Sequence, residues 1–218
     1  LIPVFSAVSA VHDEGIVHRD LKPANVFLTE ALPGVVHPKL LDFGIAKLRD
    51  TSRELTESDA FLGSVAYMAP EQMYDAKSAD ARSDQWSLAV MAYECLTGRL
   101  PFRANSVPEA VTAVLSGSFP RPRELAPDIP APLEDAVLRA MERDPQRRHA
   151  SVKDFGALLL SYASARVRET YAPSFPGPET TQAPVTLAPR DEPPESRSLQ
   201  EPVAPLPKRS PRAVVALS

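Results

Sequence analysis

Proline divides this chain in two before any other feature is read. Of its 24 prolines, 11 fall in the last 47 residues, from Ala172 to Ser218, and 13 are spread over the 171 residues before them. After Tyr171 the sequence turns to Pro, Ser, Thr and Glu, a composition that buries too little apolar surface to offset its ordering entropy. The first part has the length of one domain. Its neighbours in composition are ordinary globular proteins, with 44% hydrophobic and 24% charged residues overall.

Composition also removes several functions. A formal charge of −4 and a pI near 5.6 exclude a general nucleic-acid binder. One cysteine, Cys95, excludes an internal disulfide framework and a cysteine-rich zinc site, and the four histidines show no metal-ligand spacing. No apolar run approaches the roughly 18 residues of a membrane span. The opening LIPVFSAV has no basic region before it and does not read as a signal peptide. It also lacks an initiator Met, so the chain is expected to start inside a longer protein. The 8 glycines begin only at Gly15, and a phosphate-cradling GxGxxG loop is absent.

Periodicity places a helix over Pro3 to Asp13, with Val4, Ala7, Val8 and Val11 on one stripe and Gly15 as its stop. Short β-type runs follow at Ile16-Val17, Asn25 to Leu28 and Lys39 to Leu41. From Gly44 to Ala69 there is little periodicity, which reads as a long functional loop. A helix capped by Ser83 and closed by Gly98 contains QWSLAVMAYECL, apolar nearly all round and therefore buried on most faces. Trp86 and Cys95 are expected in the core. Further helices are predicted over Val107 to Leu115, Leu133 to Arg143 and Val152 to Val167, the last with Ser151 and Asp154 spaced as in a capping box.

Three blocks carry chemistry, in the order HRDLKPANVFL (18–28), LLDFG (40–44) and SVAYMAPEQ (64–72). Asp20 and Asn25 flank a tight loop holding Lys22 and Pro23, so a carboxylate, an ammonium and a carboxamide project into one small volume. Asp42 adds a second carboxylate at a strand end, before Gly44, which permits an unusual backbone angle. Two carboxylate oxygen sources and an amide oxygen suit a hard cation such as magnesium, and a lysine suits a phosphate. This is an inventory for phosphoryl transfer.

HRD, D-x-x-x-x-N, DFG and APE in this order resemble the signature set of eukaryotic-like (Hanks-type) serine/threonine protein kinases. The resemblance covers residues 1 to about 168. It implies a mainly α fold with small β-hairpins, the C-terminal lobe of the kinase fold, followed by a disordered Pro-rich tail. It implies ATP and Mg2+ as cofactors, and protein Ser/Thr side chains as substrates. Asp20 would accept or orient the substrate hydroxyl proton, and Asn25 with Asp42 would hold magnesium. Lys22 would contact the transferring phosphate, and a lysine here is the serine/threonine pattern. His18 would brace the catalytic loop, and Arg19 would receive an activation-loop phosphate, with Thr51, Ser52, Thr56 and Ser58 as the acceptors. Glu71 would pair with Arg148, Asp84 would anchor the catalytic loop, and Ser64 stands where many members have Thr. His18, Glu71, Asp84 and Arg148 are expected to act structurally.

The family's N-terminal lobe, with its Gly-rich loop, strand lysine and helix glutamate, is missing from the sequence. Residues 1–168 thus read as a partial kinase domain, 169–212 as a linker and 213–218 as the start of a truncated transmembrane helix. Lys208, Arg209 and Arg212 precede the apolar AVVAL (213–217), the arrangement of a cytoplasmic flank. The expectation is a cytoplasmic kinase, its parent anchored in the inner membrane of a GC-rich bacterium. PxxP-like pieces such as Pro202 to Pro205 offer an SH3-type ligand. The alternatives are a non-catalytic kinase-like binding module and a Pro-rich adaptor. Lacking the nucleotide clamp, the purified 218-residue chain should show negligible phosphotransfer, because mispositioning alone costs orders of magnitude. Robust ATP-dependent labelling of a protein substrate by this chain contradicts that.

Overall fold

A helix without a polar face has to be surrounded, and α4 (Ala81–Thr97) is: every residue from Ser83 to Tyr93 is buried. The computed structural model describes residues 1–32, 35–42 and 59–176, which lie within one compact unit, Leu1–Thr181. Asp80 caps α4 by accepting the Arg82 N–H at 2.8 Å. Gly98 closes it in the left-handed conformation (φ 68°), where only glycine escapes a Cβ penalty. The N-cap is thus Asp80 rather than Ser83, which sits at the third helical position and closes a capping box by accepting the Asp80 N–H.

Elements before and after α4 pack on it or on each other. α1 (Ile2–Asp13) lies against α8 (Val152–Leu160), with Phe5 edge-on to Phe155 at 5.0 Å. The buried face of α1 is Ile2, Val4, Phe5, Val8 and Ser9, so Ala7 and Val11 sit on its flank. A 3-10 turn (Pro23–Asn25) leads into β1 (Val26–Leu32), paired antiparallel with β2 (Val35–Leu40) from Val26 opposite Leu40 to Glu30 opposite Val36. Then come α2 (Asp59–Val65), α3 (Pro70–Tyr74), α5 (Val107–Ser116), α6 (Pro122–Leu125), α7 (Ala131–Ala140) and α9 (Ala165–Tyr171). On the far side of α4, Trp86 stacks on Phe102, and Phe102 and Tyr93 both meet Phe119 edge-on.

Several expectations need correction. Ile16-Val17 is not a strand; Ile16 donates instead to the Val11 carbonyl at 3.1 Å, finishing the end of α1. The strands of the hairpin run further than their β-type cores, because pairing continues to Leu32 and Val35. The long loop contains α2, while residues 43–58 lie outside the described residues. α7 runs over Ala131–Ala140 rather than to Arg143, and Asp144, extended (ψ 114°) before Pro145, opens a 3-10 turn after it. The helix expected over 152–167 breaks at Leu160, where Tyr162 and Ala163 tighten to i→i−3 bonds and Ser164 becomes extended. Cys95 is exposed, near the end of α4.

Order also continues past residue 168, through α9 and a 3-10 turn at Ala172–Ser174. Phe175 is only 5% exposed, and its ring occupies the space over Gly156, where an added Cβ would sit 2.3 Å from it. Residues 169–176, expected as the start of the linker, are thus part of the packed structure, because one aromatic side chain docks on α8. Its remainder, from 177, and the basic and apolar end lie outside the described residues. No helix among the described residues is long and apolar enough to cross a membrane. Phe175→Ala should lower the stability of the chain by about 3 kcal/mol, and Gly156→Ala by about 1–3 kcal/mol through overpacking. Urea midpoints equal to wild type for both would show that this contact does not hold.

Candidate active site

Asp84, on the enclosed helix α4, organises the loop that follows α1. It is 1% exposed, and its two oxygens accept the backbone N–H groups of His18 and Arg19, each at 2.8 Å. His12 on α1 donates its Nε2 proton to the same carboxylate at 2.8 Å. These bonds hold Arg19 at φ 68°, a left-handed conformation that costs a non-glycine residue roughly 1–2 kcal/mol. Hydrogen bonds to a charged acceptor, each of about 1.5–3 kcal/mol, are sufficient to offset it.

The loop so held brings four expected site residues together. Asn25 Nδ2 donates to the Asp20 carbonyl at 2.7 Å and to Asp20 Oδ2 at 3.0 Å. Lys22 Nζ lies 3.2 Å from Asp20 Oδ2 and donates to Ser64 Oγ at 2.8 Å. Ser64 thus sits on the same web although 42 residues away in sequence from Lys22. Its segment is pinned to α4 at Tyr67, whose hydroxyl donates to Glu94 at 2.6 Å and whose carbonyl accepts from Ser87 at 2.8 Å. Burial, then the Glu94 carboxylate, pushes the Tyr67 phenol well up, so it stays a donor.

Asp42 reaches the site through its neighbour. The Leu41 N–H donates to the Asn25 carbonyl at 2.9 Å, and the Leu41 carbonyl accepts from Nε2 of the fully buried His18 at 3.0 Å. Asp42 follows at φ 50°. The strained angle is therefore on Asp42 itself, a residue type that tolerates it; Gly44 lies outside the described residues. Among the described residues the Asp42 carboxylate makes no hydrogen bond, and Asn25 has spent its NH2 on Asp20, leaving its amide oxygen. A carboxylate and an amide oxygen are the hard donors that magnesium takes. No group of three or more His, Cys, Asp and Glu suited to a metal occurs among the described residues.

Glu71 and Arg148 pair away from this web. The guanidinium, fully buried, meets the carboxylate twice, Nη1 to Oε1 at 2.7 Å and Nη2 to Oε2 at 2.8 Å. Arg148 also donates to the carbonyls of Glu142 and Arg82, each at 2.8 Å, and lies 5.1 Å over the Trp86 ring. Ser83 Oγ donates to Glu71 Oε1 at 2.8 Å while accepting the Asp80 N–H at 3.4 Å as the second half of the capping box. Burial pushes the Glu71 carboxyl up, but the Arg148 hydrogen bond and charge, with the backbone and Ser83, outweigh it and hold it below the usual range.

Arg19 is half-buried, and its Nε has no hydrogen-bond partner among the described residues. Thr51, Ser52, Thr56 and Ser58 lie outside the described residues. Two residues that the motifs did not single out also belong here. His12 was legible only as a polar residue six positions before His18. Gln72 closes the SVAYMAPEQ block without a role assigned to it, and its Nε2 donates to the Arg19 carbonyl at 3.0 Å.

The sequence profile of the protein kinase domain matches residues 2–157. The chain is 38% identical over 198 residues to serine/threonine-protein kinase Pkn1 of Myxococcus xanthus, covering 91% of this chain and 28% of that protein. It is 32% identical over 209 residues to serine/threonine-protein kinase PknH of Mycobacterium bovis, covering 87% and 34%. The chain thus spans about a third of the length of these relatives. A crystal structure of Rad53 residues 1–466 in complex with AMP-PNP superposes with a TM-score of 0.53 at 27% identity, over 71% of this chain and 37% of that one.

The lowered Glu71 group contributes stability that is present above the unfolded carboxylate value of about 4.3 and is lost as pH falls through the folded one. Glu71→Gln should be less stable than wild type at pH 7, and its loss on acidification below pH 4–5 should be shallower. Parallel acid limbs in urea unfolding would contradict the assigned pairing.

Proposed function

The chain belongs to the protein kinase family, and we propose that it forms the catalytic-loop half of a serine/threonine kinase, which passes the γ-phosphate of ATP to Ser or Thr hydroxyls of proteins. The observation that carries this reading is the Asp20–Lys22–Asn25–Ser64 web, held on the left-handed Arg19 by Asp84. In it, the Asp20 carboxylate orients the substrate hydroxyl and takes its proton. The Lys22 ammonium, tethered between Asp20 and Ser64, offers its charge to the phosphate in transit. Charge placement of this kind accounts for most of catalysis in phosphoryl transfer.

Asn25 and Asp42 would hold Mg2+ through the amide oxygen and the carboxylate, and the ion would supply charge neutralisation on the nucleotide phosphates. Nucleotide use is supported by the family and by the likeness to a kinase-fold structure complexed with AMP-PNP. These 218 residues hold no GxGxxG loop, so this reading requires a further clamp on the phosphates beside Lys22. Arg19 is assigned as the receiver of a phosphate on 51–58, since its Nε is buried without a partner among the described residues. The Pro-rich composition after residue 176 supports a linker, and Lys208, Arg209 and Arg212 before AVVAL support a membrane flank at its end.

The test uses the longer natural chain that carries this sequence and its nucleotide clamp. Asp20→Asn should lower kcat by about 10²-fold or more while KM for ATP stays within about twofold, because the carboxylate acts on the hydroxyl. Asp42→Asn should instead raise KM for magnesium–ATP. Equal and mild effects of the two substitutions in a radiolabel-transfer assay contradict these roles.

A further inference from the structure

We propose that Gln72 is a positioning residue for the transfer, a single amide that locks the segment 64–69 to the catalytic loop at Arg19. The inference rests on the kinase reading above. Gln72 is the third residue of α3, which opens on Pro70 behind Ala69. Alanine has no side-chain oxygen with which to cap a helix, so the cap is one-sided: Gln72 Oε1 accepts the Ala69 N–H at 3.1 Å. The other half of the same amide, Nε2, donates to the Arg19 carbonyl at 3.0 Å. Only a group carrying an acceptor and a donor side by side makes both bonds, which singles out the carboxamide.

Arg19 is thereby gripped at both of its peptide groups from two elements. Its N–H goes to Asp84 on α4 at 2.8 Å, and its carbonyl to Gln72 on α3. The carbonyl belongs to the Arg19–Asp20 peptide, so a tilt of that peptide carries the Cα of Asp20 with it. The links also close a ring. Asp20 meets Lys22, Lys22 meets Ser64, the chain runs from Ser64 to Ala69, and Gln72 returns from Ala69 to the peptide before Asp20. In this ring the bond from Nε2 is a second link, beside Lys22, between the proposed base and the segment carrying Ser64. Misplacement by about 1 Å is enough to cost 10²-fold in rate.

Gln72→Glu separates this role from helix capping. Glutamate keeps an acceptor for the Ala69 N–H but has no donor for the Arg19 carbonyl, whereas Gln72→Ala loses both. In the 218-residue chain, hydrogen exchange of the Asp20 amide, which shares its peptide with the Arg19 carbonyl, should speed up about tenfold in Gln72→Glu while the Ala69 amide stays protected, and both should speed up in Gln72→Ala. An Asp20 amide unchanged in Gln72→Glu overturns the bridge. In the longer active chain, both variants should lose about tenfold in kcat with KM for ATP within about twofold of wild type. Altered exchange with unchanged kcat would make Gln72 a merely structural contact and overturn the positioning role. If instead the wild-type longer chain transfers no phosphate while the exchange pattern holds, the kinase reading fails and the positioning role falls with it, leaving only the bridge.

Discussion

One buried carboxylate sets the geometry on which the site depends. Burying a lone charge is prohibitive, and Asp84 is tolerated because three donors, from His12, His18 and Arg19, meet its two oxygens. The arrangement works in both directions. The donors neutralise the desolvated charge, and the charge pulls two successive amides into line, which forces Arg19 into the left-handed region. Because α4 is enclosed on every side from Ser83 to Tyr93, its carboxylate has nowhere to move, and neither has the loop attached to it.

The residue beside it performs the second attachment. Ser83 donates to Glu71, and Glu71 holds the buried Arg148, which stacks over Trp86 of the same helix. Two consecutive α4 residues thus tie down the two segments that meet at Lys22 and Ser64. A buried ion pair is poor evidence of net stability. Its value here is geometric, since a bidentate guanidinium with three further carbonyl partners admits one orientation of α3. Gln72 then passes that orientation back to Arg19.

Much of this was legible in the sequence, for reasons that differ by residue. The all-apolar face of 85–96 announced α4 as the buried centre, and the HRDLKPAN block placed Asp20, Lys22 and Asn25 in one turn. Asp84 and the Glu71–Arg148 pair came from the family resemblance, since nothing local ties residues 65 or 77 positions apart. Gln72 and His12 were not legible, because a half-exposed glutamine on a five-residue helix has no periodic or compositional signature. Phe175 was missed because a Pro-rich context masks a single docking aromatic. Ile16-Val17 was misread because β-branched residues satisfy a strand pattern whether or not a partner strand exists.

The central claim is that the catalytic loop is pre-organised by Asp84, and the isosteric Asp84→Asn substitution tests it most directly. Asparagine retains one acceptor oxygen and turns an NH2 toward the other amide, so packing is kept while one of the two backbone bonds is lost. Turnover should be measured, in a chain that carries this sequence with the nucleotide clamp the proposed function requires, beside thermal melting and KM for ATP. The account predicts a folded protein whose kcat is at least about tenfold lower with KM for ATP little changed. A folded Asp84→Asn protein that turns over at the wild-type rate would contradict it.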